Sequence, residues 1–127
     1  MDRTTAAWLE ALERRHLADF TMSEVARALR ALSSCYVERR SKLADGGALS
    51  SAGKRAAFAL FYAPLHHLLV REIVRALDVA PRRSREDRPP ATVVDLGCGT
   101  GAAGAAVALA HGGSCSVVGI DRSAWAL

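Results

Sequence analysis

The sequence predicts an α/β chain in two parts, a helical N-terminal module followed by the strand, helix and strand that open a parallel sheet. Three observations predict it. Up to about position 77 the apolar residues recur at helical spacing. A run of prolines and alternating charge, PRRSREDRPP at Pro81–Pro90, then interrupts the chain. Beyond it, two short β-prone runs flank a glycine-rich turn and an alanine-rich stretch. The expected organisation is a helical module over 1–80, a linker over 81–90 and the beginning of a sheet domain over 91–127.

The first helix is expected from Thr5 to about Leu17, where Trp8, Leu9, Leu12 and Leu17 alternate with Glu10, Glu13, Arg14 and Arg15. Thr21 with Glu24 three residues later has the form of a capping box and opens a second helix lined by Val25, Ala28, Leu29 and Leu32. Tyr36 and Val37 prolong it toward the flexible Asp45-Gly46-Gly47. Ser50 or Ser51 caps a third, strongly apolar helix that includes Lys54 to Tyr62. Pro64 lacks an amide and disfavours helix at Ala63, so a break is expected there, with Pro64 opening a new helix. Leu65, Leu68, Leu69, Ile73, Ala76 and Leu77 share one face of that helix. Thr92 to Val94 and Ser116 to Ile120 are the expected strands, with a helix over Ala102 to His111 between them. Strand, turn, helix and strand in this order make one crossover unit of a parallel sheet.

Lysine and arginine outnumber the acids by 17 to 13 over the 127 residues. The surplus lies before Ala91, because the remaining stretch carries Arg122 against Asp95 and Asp121. A basic module suits phosphate backbones and equally suits a solvated, arginine-rich helical surface. Cys35, Cys98 and Cys115 are odd in number and widely spaced, which indicates neither a disulfide framework nor a zinc site. The N-terminus has charges every few residues instead of the apolar core of a secretory signal, and no stretch is expected to span a membrane. A cytoplasmic location is the expectation.

The chemistry concentrates in TVVDLGCGTGAAG, Thr92 to Gly104, and in VVGID, Val117 to Asp121. A glycine turn between strand and helix lets the backbone approach a ligand where a Cβ would collide, and it presents amides at the positive end of the helix. An acid ending the second strand can accept both hydroxyls of a ribose. Together they describe a nucleoside site at the carboxyl edge of an open sheet. Gly99, Gly101 and Gly104 also satisfy the dinucleotide pattern GxGxxG, with Asp121 lying 22 residues past Gly99. Asp95 discriminates between the two. Two residues before Gly97, a carboxylate can face the ammonium of a methionine moiety, whereas beside a pyrophosphate it would repel.

On Asp95, Leu96, Gly97, Gly99, Gly101 and Asp121 the chain resembles the class I S-adenosylmethionine (SAM)-dependent methyltransferases. The resemblance implies a Rossmann-like sheet, in which Asp95 holds the amino-acid end of SAM, Gly97, Cys98, Gly99 and Gly101 pass beside it, Asp121 binds the ribose and Arg122 flanks the adenine. From Leu29 to Asp121, through LRALSSCYVERR and AAFALFYAPLHHLLVREIVRAL, the chain is also similar to the mitochondrial small-ribosomal-subunit methyltransferase-like family and its bacterial relatives. That similarity implies association with small-subunit ribosomal RNA. A non-catalytic assembly factor is the alternative it leaves open, and a nicotinamide-dependent oxidoreductase is a third.

In this class the sulfonium is an activated methyl donor, so the protein's task is alignment of the acceptor. Acceptor-side residues come after later strands, and the chain stops at Ser123–Leu127. It is therefore expected to be the truncated N-terminal portion of an enzyme, inactive alone. His66 and His67, adjacent and pointing about a hundred degrees apart on a helix, are expected to pack at the surface or in a groove and not to share a metal. Tyr36, Phe58, Phe61 and Tyr62 are expected in the core. Cys98, with no histidine to activate it, is expected to fill space and not to act as a nucleophile.

Overall fold

A computed structural model describes residues 3–38, 41, 47–77, 92–113 and 115–127. Among them the architecture is helix-rich with one small parallel sheet of two strands, compatible with the α/β class. The linker expected over 81–90 and the turn at Asp45-Gly46 lie outside the described residues. The chain divides into two compact units, Met1–Pro64 and Leu65–Leu127.

In the first unit, helix α1 (Arg3–His16) is followed by α2 (Met22–Val37), a 3-10 turn (Gly47–Leu49), α3 (Ala52–Ala57) and a π-helical turn (Phe58–Tyr62). Thr21 starts α2 through the expected capping box. Its hydroxyl accepts from the Glu24 amide at 3.4 Å, and the Glu24 carboxylate accepts from the Thr21 amide at 2.8 Å. Between the two serines proposed for α3, Ser51 is the cap, accepting from the Lys54 amide at 3.3 Å. The apolar face of α2 meets α3 through small residues: Val25 and a fully buried Leu32 (0% exposed) form one core with Ala56, Ala57 and Phe58. Leu17, Phe20, Leu29, Tyr36 and Tyr62 close around it. Of the four expected core aromatics, Phe58 is buried, Tyr36 stacks edge-on against Tyr62 at 5.6 Å, and Phe61 is exposed.

Pro64 does not break the helix. Ala52–Ala76 runs as one 25-residue helical stretch, its last part being α4 (Ala63–Ala76). The π turn sits directly before the proline and closes with the Ala63 amide donating to the Phe58 carbonyl, five residues back. The wider turn accommodates the pyrrolidine ring and its missing donor without interrupting the helix. Continuity also corrects the expectation about membrane spans, because this stretch is long and apolar enough to cross one by length and composition. Core helices of water-soluble proteins meet the same test.

The second unit takes α4 from Leu65 onward, with β1 (Thr92–Leu96), α5 (Ala102–Ala110) and β2 (Ser116–Ile120). The two strands pair in parallel, Val93 opposite Val117 and Asp95 opposite Gly119. Helix α5 lies on that face: a Cβ added at Gly104 would fall 2.9 Å from Val117 Cγ1 and 3.0 Å from Asp95 Oδ2. The helix ends at a pair of left-handed glycines, Gly112 and Gly113, with the Gly113 amide donating to Ala108 O at 2.9 Å. On the other face of the sheet Val94, Leu96, Val118 and Ile120 are exposed, Leu96 by 75%.

The apolar face read from α4 is the exposed side of that helix. Leu65, Leu69, Ile73 and Leu77 face solvent, whereas His67 and Val74 are buried. At about 100° per residue Leu65, Leu69 and Ile73 lie roughly opposite His67 and Val74, with Leu77 at the boundary between the two sides.

Candidate functional site

The site begins where β1 runs out. After Leu96 the backbone turns through Gly97, Gly99 and Gly101 with φ of 73°, 54° and 75°, a left-handed conformation that costs a residue with a Cβ about 1–2 kcal/mol. The strand ends hold the turn from below: the amides of Gly97 and Cys98 both donate to the Ile120 carbonyl of β2, at 2.7 and 3.1 Å. Gly101 closes it by donating to Cys98 O at 2.9 Å and then caps α5 with no side chain of its own. Among the described residues space stands open above the loop, since a Cβ at Gly97 or at Gly101 would meet none of their atoms within 4 Å.

Two carboxylates flank this cradle. Asp95, on β1, accepts from the amide of Gly104 at 2.8 Å, nine residues on. Gly104 stands at the third position of α5, so Asp95 supplies from the strand the cap that Gly101 cannot. Asp121, just past β2, accepts from the Gly99 amide at 2.8 Å through one oxygen and from the Ser123 amide at 2.7 Å through the other. The Ser123 amide, aided by those of Gly99 and Arg122 and opposed by partial desolvation, holds the Asp121 carboxyl below its ordinary range. Asp121 is thus firmly ionised at neutral pH.

Cys98 sits between the acids. Its Sγ occupies the space over Gly119, where a Cβ would come within 2.8 Å, and donates to Gly99 O at 3.5 Å. Desolvation raises its pKa, and the charges of Asp121 and Asp95 raise it further, so the sulfur stays a thiol. The chemistry left to it is packing. Arg122 contributes its backbone to Asp121, and its side chain is exposed.

Asp95, Gly97, Cys98, Gly99, Gly101, Asp121 and Arg122 all fall at the carboxyl ends of the two strands or in the turn between β1 and α5. Among the described residues no group of three or more histidine, cysteine, aspartate or glutamate side chains could hold a metal ion. Sequence reasoning missed two participants. The Ser123 amide, which completes the Asp121 clasp, carries no side-chain signal. His67, read as surface or groove packing, is buried at 6% exposure with Nδ1 3.2 Å from Ala102 O in the first turn of α5. Its signal was available only as a polar residue in register with Val74, two turns on. Set against protein-family models, curated proteins and solved structures, the chain matches none of them.

Proposed function

We propose that the second unit is a Rossmann-like strand–helix–strand carrying the nucleoside side of a SAM site, and that the protein is a class I methyltransferase. One observation carries this reading: a left-handed glycine loop lies between two strand-end carboxylates, with open space above Gly97 and Gly101. A carboxylate has about four lone-pair sites. Asp121, which takes the Gly99 and Ser123 amides on different oxygens with the Arg122 amide beside them, therefore retains acceptor capacity for a ribose hydroxyl, and Asp95 retains it for an ammonium. SAM would supply an activated methyl group; the chain's own residues bind and orient it. The positive end of α5 favours the carboxylate of the methionine part.

Small-subunit ribosomal RNA is the proposed acceptor or partner. The similarity of Leu29 to Asp121 to the ribosomal family supports it, as do the exposed Arg14, Arg15, Arg27 and Arg30 in the first unit. A non-catalytic RNA-binding assembly factor uses the same surface. Mapping of small-subunit RNA methylation with and without the protein separates the two.

A dinucleotide site is the second reading, favoured by Gly104, whose bare Cα permits the close helix-to-strand packing that the third glycine of GxGxxG provides. Calorimetric titration with SAM and with NAD decides between them. SAM is expected to bind, and Asp121→Ala to weaken it roughly 10- to 100-fold through loss of charge-assisted hydrogen bonds. Binding of NAD without SAM would reverse the assignment.

A further inference from the structure

We infer that His67 is a positioning residue that locks the start of helix α5, and with it the glycine loop, in the geometry a ligand needs. The inference goes beyond the SAM reading, on which only the last arm of its test rests. Helix α5 begins unusually poorly equipped. Its N-cap is Gly101 in a left-handed conformation, which offers no side-chain oxygen, and its first turn contains no acid. An alanine-rich helix of nine residues is marginal without outside support. Two side chains distant in sequence provide that support. Asp95 takes the Gly104 amide, an otherwise unpaired donor of the first turn, from the strand side, and His67, 35 residues before Ala102, reaches the Ala102 carbonyl from α4, which caps no donor but tethers the first helical residue to a neighbouring helix.

The chemistry of this contact fixes the imidazole. A carbonyl oxygen only accepts, so the nitrogen facing it must carry the proton, and His67 must be the Nδ1–H tautomer or the doubly protonated cation. The neutral imidazole of a solvated histidine prefers the proton on Nε2, so the required tautomer is a distinguishing mark of the bond. Burial of the ring removes competing water, which strengthens the contact and restricts the ring to one orientation. Ala102 immediately follows Gly101, and Gly101 closes the loop by donating to Cys98 O. A shift of Ala102 is therefore passed directly into the turn that carries Gly99 and faces Asp121.

Three variants separate a hydrogen-bonded lock from ordinary packing. In His67→Asn the side-chain amide nitrogen sits where Nδ1 was; in His67→Gln it lies one atom farther out; His67→Leu has no donor. The full chain is studied by nitrogen-15 NMR of the histidine rings, amide hydrogen exchange at Gly104 and Ala105, and calorimetric titration with SAM. The wild-type protein at pH 8 should show Nδ1 protonated. Exchange at the two amides should rise about tenfold in His67→Leu and His67→Gln and stay near wild type in His67→Asn, the loss expected for one buried hydrogen bond. SAM affinity should follow the same order.

An Nε2–H tautomer in the wild-type protein overturns the proposal even if every variant unfolds. Equal exchange in His67→Asn and His67→Leu also overturns it, since packing alone then accounts for the residue. Failure of the wild-type chain to bind SAM sinks the cofactor reading, while the tautomer and exchange results still decide whether the lock exists.

Discussion

At Gly104 a single methyl group decides whether helix α5 can lie on the sheet. Alanine there gains about 1 kcal/mol of helix propensity, but its Cβ would meet Val117 Cγ1 at 2.9 Å and the Asp95 carboxylate at 3.0 Å. Overpacking costs about 1–3 kcal/mol, so it outweighs the propensity gain. Gly104→Ala is expected to destabilise the chain by roughly 1 kcal/mol, read as a lower thermal midpoint. Asp121 carries a second residue-scale consequence. Its folded pKa is depressed by the Ser123 and Gly99 amides, so its contribution is complete above the ordinary carboxylate range and is lost as pH falls through the depressed value. The amide resonances of Gly99 and Ser123 should hold constant through neutral pH and the ordinary carboxylate range, and move only at more acid pH than that range. Movement near neutrality would show that another group governs the loop.

Among the elements, α2 is the one most completely determined by local chemistry. Thr21 and Glu24 satisfy each other's amides, and the apolar spacing from Val25 to Leu32 meets the core directly. Thr21→Ala should cost about 1 kcal/mol, measured as a shift in denaturant midpoint at unchanged slope. The stretch around Pro64 shows where local rules lose their authority. Proline forbids one backbone donor and crowds one carbonyl, yet a π turn over Phe58–Tyr62 satisfies both constraints inside a continuous helix. The choice between breaking and widening depends on what the surrounding chain packs against. The core around Phe58 and Tyr62, which sits on the π turn itself, is such packing.

For the whole molecule the outstanding feature is apolar surface facing water. Val94, Leu96, Val118 and Ile120 on one sheet face, Leu65, Leu69 and Ile73 on α4, and Leu77 just beyond it are all exposed. Apolar surface of this kind binds hydrophobic dyes and lowers solubility. The chain is expected to enhance the fluorescence of an apolar dye at neutral pH. Val94→Thr with Val118→Thr should reduce that signal with unchanged far-ultraviolet circular dichroism; an undiminished signal would place the dye elsewhere.

The residues by themselves determined the helical segments but not their continuity through Pro64, the two strands, the threonine cap of α2, a serine cap for α3 without the choice between Ser50 and Ser51, and the membership of the glycine loop. Each of these depends on spacing of a few residues, on the lack of a Cβ or on a side chain reaching its own backbone. Tertiary structure decided the rest. Which side of α4 is buried was illegible, because periodicity identifies an apolar face and not what covers it: His67 and Val74 went inside and Leu69 out. The partners of Asp95 and Asp121 were equally hidden. Both acids are expected to face a ligand, and in the folded chain each first serves the backbone, Asp95 capping α5 through Gly104 and Asp121 holding the loop through Gly99 across 22 residues. The His67 contact with Ala102 spans 35 residues. Hydrogen bonds over such separations follow from which elements come to lie side by side, and no local pattern encodes that.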